Sequence, residues 1–272
     1  MNRLDYLKQH CSDPELLSLL IAANRAALIA GSILKELYNQ PHTITMKGSI
    51  NLVTEADVAA ETAIIASLQE DAPRIGFMAE ESAGEHLRQP QGQVWIIDPL
   101  DGTTNFAHGF PIFAVSIALM ENGRSTIGVI YCPLQDELFC SWKNGGSWLN
   151  GKRIQVTATD FLVQALVATG FPYDIHERLD DVLEQLRAFL PKVRDIRRGG
   201  AAAVDLAYVA CGRLDGFWEM DLKPWDTAAG WLLVEEAGGK VTDFTGNQYS
   251  PFSPQILASN KTLHSLLCKQ LA

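Results

Sequence analysis

The stretch WIIDPLDGTTNF, residues 95–106, decides how the rest of the chain is read. Trp95, Ile96 and Ile97 form an apolar triplet that reads as the end of a buried strand over 93–97. Asp98 and Asp101 follow at once, three residues apart around a turn stiffened by Pro99. Burial of apolar surface gives no reason to place two carboxylates there. About 5 Å apart, they repel by roughly 3 kcal/mol at an effective dielectric of about 20. Either the acids cap backbone N–H groups of a turn, or a positive charge belongs between them. An EF-hand loop is excluded: with Gly102 at the sixth position, Ile97 falls on the first ligand position and His108 on the closing one.

Working outward, a short apolar strand at about 75–79 closes on Glu80-Glu81. Upstream, Thr54-Glu-Ala-Asp57 reads as a capping box, with Asp57 in the third position of a helix. Ser12 or Asp13 caps an earlier helix with Pro14 in its first turn and an apolar face through Leu16, Leu20, Ala23, Ala27 and Leu34. From 113 to 157, Asn122-Gly123, Asn144-Gly145 and Asn150-Gly151 punctuate runs rich in Val, Ile, Phe, Tyr and Trp, the pattern of an antiparallel meander. After 160 the texture alternates: strand 164–170, helix 175–190, strand 193–198, helix 201–211, strand 214–220, helix 226–237, and a short strand after Gly238-Gly239. That alternation predicts βαβ units and a sheet covered by helices, so that with the meander the fold class reads as α+β or α/β. No linker separates the two parts, so residues 1–272 read as one body, with helices and a meander over about 1–157 and alternation over about 158–272.

Composition sets bounds. The 272 residues are 47% hydrophobic and 20% charged, with a formal charge of −10, which disfavours an extended nucleic-acid surface. Five scattered cysteines without a Cys-x-x-Cys pair fit a reducing compartment and speak against a thiolate zinc site. The apolar stretch at about 16–37 is broken by Asn24, Arg25, Lys35 and Glu36 and reads as a core helix, not a membrane span. With no signal peptide visible, the expectation is a cytoplasmic protein.

Several chemistries are excluded by inspection. No Gly-x-Gly occurs, so the dinucleotide fingerprint is missing. No Gly-x-Ser-x-Gly is present, and no histidines pair at metal-binding helical spacing. Gly146–Lys152 approaches a phosphate loop, but Arg153 replaces the required Ser or Thr, and Asn150-Gly151 reads better as a hairpin turn.

Taken together, Glu80-Glu81-Ser82, Asp98-Pro-Leu-Asp101-Gly-Thr-Thr-Asn-Phe106 and Trp225-Asp226-Thr-Ala-Ala-Gly230 resemble the inositol monophosphatase family of metal-dependent, lithium-sensitive phosphatases. Asn51-Leu-Val-Thr-Glu-Ala-Asp57 and Gly200-Ala-Ala-Ala203 extend the resemblance over about residues 45–240. Asp-Gly-Thr-Thr-Asn-Phe is closer to inositol monophosphatases than to bisphosphate nucleotidases, which tend to carry Lys after Asp-Gly-Thr. Leu222-Lys-Pro-Trp-Asp226 is similar to bacterial members. The resemblance implies a layered αβαβα sandwich of the inositol monophosphatase and fructose-1,6-bisphosphatase type, usually a homodimer, with two or three Mg²⁺ ions. It implies Glu80, Asp98 and the Leu100 carbonyl around one ion, and Asp98, Asp101 and Asp226 around a second. Some members place a third near Glu80. Asp57 and Thr103 would orient and deprotonate the attacking water, and Glu219 and Ala202 would contact the alcohol part of the substrate.

The residues support this independently. All-oxygen ligands without His or Cys favour Mg²⁺ or Mn²⁺ over zinc, and divalent ions relieve the repulsion of clustered acids. Gly102, Thr103 and Thr104 should open a helix whose N–H groups cradle phosphate, with Gly102 allowing close approach. Some readings stay open. Thr103 reads also as a helix cap, Glu219 as a solvated strand-end acid, and Arg197-Arg198 as a substrate contact, a dimer contact or a surface ion pair. Ala201 departs from the Ser or Thr common in relatives. The expected reaction is Mg²⁺-dependent hydrolysis of a small phosphate ester, myo-inositol monophosphate, by a metal-activated water without a phosphoenzyme. A nucleotide bisphosphate, fructose 1,6-bisphosphate or histidinol phosphate is the alternative substrate. The alternative of another class is a non-catalytic partner of RNA or the transcription machinery, against which the five acids and the net charge argue.

Overall fold

The fold is that of a computed structural model, which describes residues 3–38, 40, 44–47, 51–84 and 88–271. From the amino terminus run helices α1 (Asp5–His10) and α2 (Pro14–Leu37), strands β1 (Ile44–Lys47) and β2 (Asn51–Thr54), helix α3 (Glu55–Asp71), strands β3 (Gly76–Ala79) and β4 (Gln93–Asp101), and helix α4 (Thr103–Ala107). Strands β5 (Ala114–Glu121), β6 (Arg124–Cys132), β7 (Glu137–Trp142), β8 (Gly146–Leu149) and β9 (Lys152–Ile154) follow in succession. The remainder runs β10 (Leu166–Thr169), α5 (Ile175–Phe189), β11 (Asp195–Arg197), α6 (Ala202–Ala210), β12 (Gly216–Met220), α7 (Pro224–Glu236), β13 (Lys240–Thr242), β14 (Gln255–Ser259) and α8 (Lys261–Leu271).

The start of each long amino-terminal helix follows from its cap. Asp13 accepts the N–H groups of Glu15 and Leu16 ahead of Pro14, and the Thr54–Asp57 capping box opens α3. Each leaves fewer amino-terminal N–H groups without a partner. The meander follows from its turns. Asn122 and Gly123 both take positive φ (48° and 82°), as do Asn150 and Gly151 (50° and 78°), the twist that a two-residue hairpin needs. The β7–β8 turn is a residue longer: Trp142 pairs with Gly146, and Asn144 and Gly146 take the positive angles. Asn150-Gly151 therefore joins β8 to β9, and the phosphate-loop likeness ends there.

Strands β3 to β9 form a seven-stranded sheet in sequence order, parallel between β3 and β4 and antiparallel from β4 onward. A second sheet has the order β11-β10-β12-β14-β13. It is mixed and covered by helices, with the βαβ units that the alternation predicts in its parallel part. Strand β10 pairs in parallel with β11 and β12, but β14 enters antiparallel between β12 and β13.

Side-chain alternation assigns the layers. Trp95 and Ile97 of β4, with Val115, Ile117 and Leu119 of β5, face α2 and α3. Val94 and Ile96, with Ala114, Ala118 and Met120, face the opposite way, toward α6 and α7. Burial on both faces explains why these strands read as unbroken apolar runs. Helices α6 and α7 lie between the two sheets, and α5 and α8 cover the outer face of the second. The result is an αβαβα sandwich. Helix α2 is long and apolar enough to cross a membrane; here its Leu20, Ala23, Ala27 and Leu34 are buried in the core shared with α3 and the first sheet.

Central helix α7 is fastened by side chains of that sheet. The hydroxyls of Ser116, Ser125 and Ser147 donate to the carbonyls of Trp225 (3.0 Å), Ala228 (2.8 Å) and Leu233 (2.7 Å). Gly128 lets the helix settle, since a Cβ there would stand 2.7 Å from the Ala229 carbonyl oxygen.

Candidate active site

Asp98 and Asp101 lie within the last residues of β4, not beyond it. Against β5, Asp98 pairs with Ser116 and Asp101 with Ala114, so the register slips by one residue. Such a bulge bends the strand and re-aims its side chains. Asp98 Oδ1 accepts the Leu100 N–H at 2.9 Å, so this acid does cap a turn. Asp101 is held from 101 residues away. Its two oxygens accept the N–H groups of Ala202 (3.2 Å) and Ala203 (2.7 Å) at the start of α6. Ala202 thus spends its N–H on Asp101 while lining the cavity in which a substrate contact was expected.

The other acids arrive from separate elements. The Glu80 N–H donates to the Ile97 carbonyl at 3.1 Å, which continues the β3–β4 pairing and carries Glu80 to Asp98. Asp226, in the first turn of α7, accepts the Lys223 N–H at 2.6 Å. Asp57 Oδ2 accepts both the N–H and the hydroxyl of Thr54 at 2.7 Å, leaving Oδ1 to face the Thr103 hydroxyl at 3.0 Å. That hydroxyl also lies 3.1 Å from the Leu100 carbonyl. It does not cap α4, whose N-cap is Gly102, so the cap reading of Thr103 falls.

Gly102 has φ +95°, and a Cβ there would stand 3.0 Å from the Ile112 carbonyl and 3.3 Å from Cβ of both Ala201 and Phe113. Its glycine identity follows from the left-handed backbone and this packing, a nearer cause than room for a phosphate. The small residue at Ala201 fits against it.

Glu80, Asp98, Leu100, Asp101, Thr103 and Asp226 all line one cavity of about 180 Å³. A second cavity of about 320 Å³ shares Asp101, Gly102, Thr103, Tyr173, Lys223 and Asp226, and continues to Phe171, Ala202 and Glu219. Glu219 is buried, not a solvated strand end. It pairs with Ile256 inside the second sheet and packs so closely on Gly170 that a Cβ there would lie 2.1 Å from its carboxylate oxygens.

Burial and mutual repulsion couple the acids of the cluster. Burial, then the charges of Glu80, Asp101 and Asp226, push Asp98 well above the ordinary carboxylate range. Burial and Asp226 push Asp101 up to about 7 against the restraint of its N–H donors. Burial pushes the half-buried Asp226 up to about 6, opposed by the Lys223 N–H and charge. Burial also raises Asp57, opposed by Thr54 and Thr103. Among the described residues no three acids are already drawn into a cage that could hold a metal ion; several of their oxygens rest on backbone N–H groups. The donor chemistry nevertheless fits a hard divalent cation: carboxylates and one carbonyl share a cavity, and their mutual repulsion is what such a cation relieves.

Two features escaped the sequence reading. Asn105 Nδ2 donates to the carbonyls of Ile112 (2.7 Å) and Gly199 (2.9 Å), tying α4 to the loop before α6; its only signal was its place in Asp-Gly-Thr-Thr-Asn-Phe. Asp205 of α6 is buried, and burial followed by the Asp101 charge raises it well above the ordinary range. Nothing in a helical Ala-Val-Asp-Leu announces that neighbour. Side chains of Asn51, Leu52 and Val53 lie outside the described residues.

Comparison with known proteins agrees with this arrangement. The sequence model of the inositol monophosphatase family matches residues 15–272. Nus factor SuhB of Salmonella typhimurium (strain 14028s / SGSC 2262) is 43% identical over 244 residues, covering 89% of this chain and 91% of its own. The inositol-1-monophosphatase of Mesorhizobium japonicum is 41% identical over 254 residues, covering 93% and 95%. The crystal structure of extragenic suppressor protein suhB from Bartonella henselae superposes with a TM-score of 0.87 at 41% identity, covering 94% of this chain and 98% of that one. With its acids gathered at the ends of β3 and β4 and at the start of α7, in the same αβαβα order, the chain belongs to the inositol monophosphatase family.

Proposed function

We propose that the chain is a Mg²⁺-dependent phosphomonoesterase acting on myo-inositol monophosphate. The observation that carries this reading is the convergence of Glu80, Asp98, Asp101 and Asp226 on one cavity beside the Asp57–Thr103 pair. Glu80, Asp98, the Leu100 carbonyl, Asp101 and Asp226 would hold the ions, two or three in number, with Mn²⁺ as a substitute. When bound, such ions supply positive charge for the phosphoryl oxygens and acidify a water. Thr103 and Asp57 do the remaining proton work: the water gives a proton to Thr103 Oγ1 while the Thr103 proton passes to Asp57 Oδ1. Burial makes Asp57 a stronger base than an exposed carboxylate. The water oxygen bonds to phosphorus, the bond to the alcohol breaks, and the alcohol leaves with a proton from solvent. Glu219, Ala202 and the rest of the second cavity receive the alcohol part.

The experiment is phosphate release from myo-inositol 1-phosphate with Mg²⁺ and with chelator. Release that depends on Mg²⁺ supports the reading, and no release at saturating Mg²⁺ overturns it. Nucleotide bisphosphate, fructose 1,6-bisphosphate and histidinol phosphate in the same panel separate the alternative substrates. One observation favours a second reading: the Salmonella relative bears the name Nus factor. An Asp101→Asn protein that has lost turnover yet still co-purifies with transcription machinery would support that role.

A further inference from the structure

The Arg197-Arg198 pair separates in the structure. Arg197 is committed to Asp195 on the surface. Arg198 has no ion pair and no hydrogen bond among the described residues, although it lines the larger cavity. Arg198 is exposed, and two contacts orient it. The guanidinium carbon stands 5.1 Å from the centroid of the Phe171 ring, a cation–π distance. The side chain lies back across Gly200, where a Cβ would come within 2.5 Å of Nη1. Gly200 has φ +80°, which by itself accounts for glycine at that position. An uncommitted guanidinium, stacked on a ring at the wall of an open cavity, presents a planar fork of N–H donors.

What the fork faces limits its ligand. The same cavity wall carries Glu219 and Asp221. Arg198 is also the positive charge that opposes the upward shifts of Asp205 and Glu219. A second anionic group on the substrate would meet these acids. A ring of neutral hydroxyls suits both, since adjacent hydroxyl oxygens accept from the guanidinium and a hydroxyl proton is donated to Glu219. Arg198 lies outside the acid cavity, on the side that takes the alcohol.

We propose that Arg198 is a specificity-determining residue, donating paired N–H bonds to two adjacent hydroxyl oxygens of a cyclic polyol and so sorting polyol phosphates from simple phosphate esters. The inference rests on the hydrolytic reading above and names which half of the substrate is read, and by what. Phe171 positions Arg198 and acts through it.

The test compares kcat and KM for myo-inositol 1-phosphate, phenyl phosphate and fructose 1,6-bisphosphate in the wild type, Arg198→Met and Arg198→Lys, each with its melting temperature. In Arg198→Met, the ratio of kcat/KM for inositol 1-phosphate to that for phenyl phosphate should fall about tenfold or more, mainly through KM. Arg198→Lys should recover only part of the loss, because an ammonium lacks the fork. An unchanged ratio, or full recovery by Lys, overturns the inference. A larger loss for fructose 1,6-bisphosphate than for inositol 1-phosphate also overturns it, assigning Arg198 to a second phosphate. Wild-type protein that releases phosphate from phenyl phosphate but not from inositol 1-phosphate is a different result, and it removes the proposed substrate itself.

Discussion

Asp101 shows how a single side chain can be legible in kind and illegible in setting. Its place in Asp-x-x-Asp-Gly announces an acid at a turn, but its partners are the N–H groups of Ala202 and Ala203, which no local pattern connects to it. Asp101→Asn removes a charge from the cavity and turns its amide N–H toward one of those two donors, its oxygen still accepting from the other. Turnover should fall by at least about 100-fold, with far-UV circular dichroism unchanged; wild-type turnover at saturating Mg²⁺ would refute a metal role. Thr103→Val should cost roughly 100-fold in kcat by cutting the hydroxyl link to Asp57, with Thr103→Ser restoring most of it. Gly102→Ala should lower stability by about 1–2 kcal/mol, more if the contacts with Ile112 and Ala201 do not relax, read from a denaturant midpoint. Asp57 was the most legible of these residues, because a capping box is wholly local. Glu219 was the least, because the Gly170 contact and the burial come from strands far apart in the chain.

At the scale of elements, the meander was readable because Asn122-Gly123 and Asn150-Gly151 set their own turns, while Asn144-Gly145 marked a turn one residue longer than the pair implies. The bulge in β4 was not, since register depends on β5. The amphipathic period of α8 lies open in the sequence, with Leu263 and Leu267 inward, but the alternation reading stops at the strand after Gly239. It therefore misses β14, whose insertion makes the second sheet mixed. Helix α7 matters most to the site, because its first turn carries Asp226. Each serine hydroxyl fastening it to the first sheet should contribute about 1 kcal/mol. Ser125→Ala or Ser147→Ala should accordingly lower the melting temperature by about 2–4 °C. Ser116→Ala, whose partner is Trp225, should also weaken Mg²⁺ binding by isothermal titration, whereas Ser147→Ala should not. Equal effects on the ion from both would refute the idea that the clamp aligns Asp226.

For the whole molecule, the clustered acids tie stability to pH. Asp98, Asp101 and Asp226 hold protons more tightly folded than unfolded. Their contribution is therefore full below about 4, the ordinary carboxylate value, and is withdrawn as pH rises toward about 7 for Asp101 and about 6 for Asp226. The melting temperature of the cation-free protein should decline across that window, and Asp101→Asn should flatten the decline. Added Mg²⁺ should raise the midpoint more at pH 8 than at pH 5, because protonated carboxyls bind it poorly. A midpoint indifferent to Mg²⁺ at pH 8 would count against the cation site. The two adjoining cavities have a consequence for descent. One is walled chiefly by β4, α4 and the head of α7; the other reaches β12 and the segment before α5. On the proposed function, a related chain altered on the β12 side would admit a different alcohol, while Glu80, Asp98 and Leu100, which line the first cavity and not the second, would keep their places.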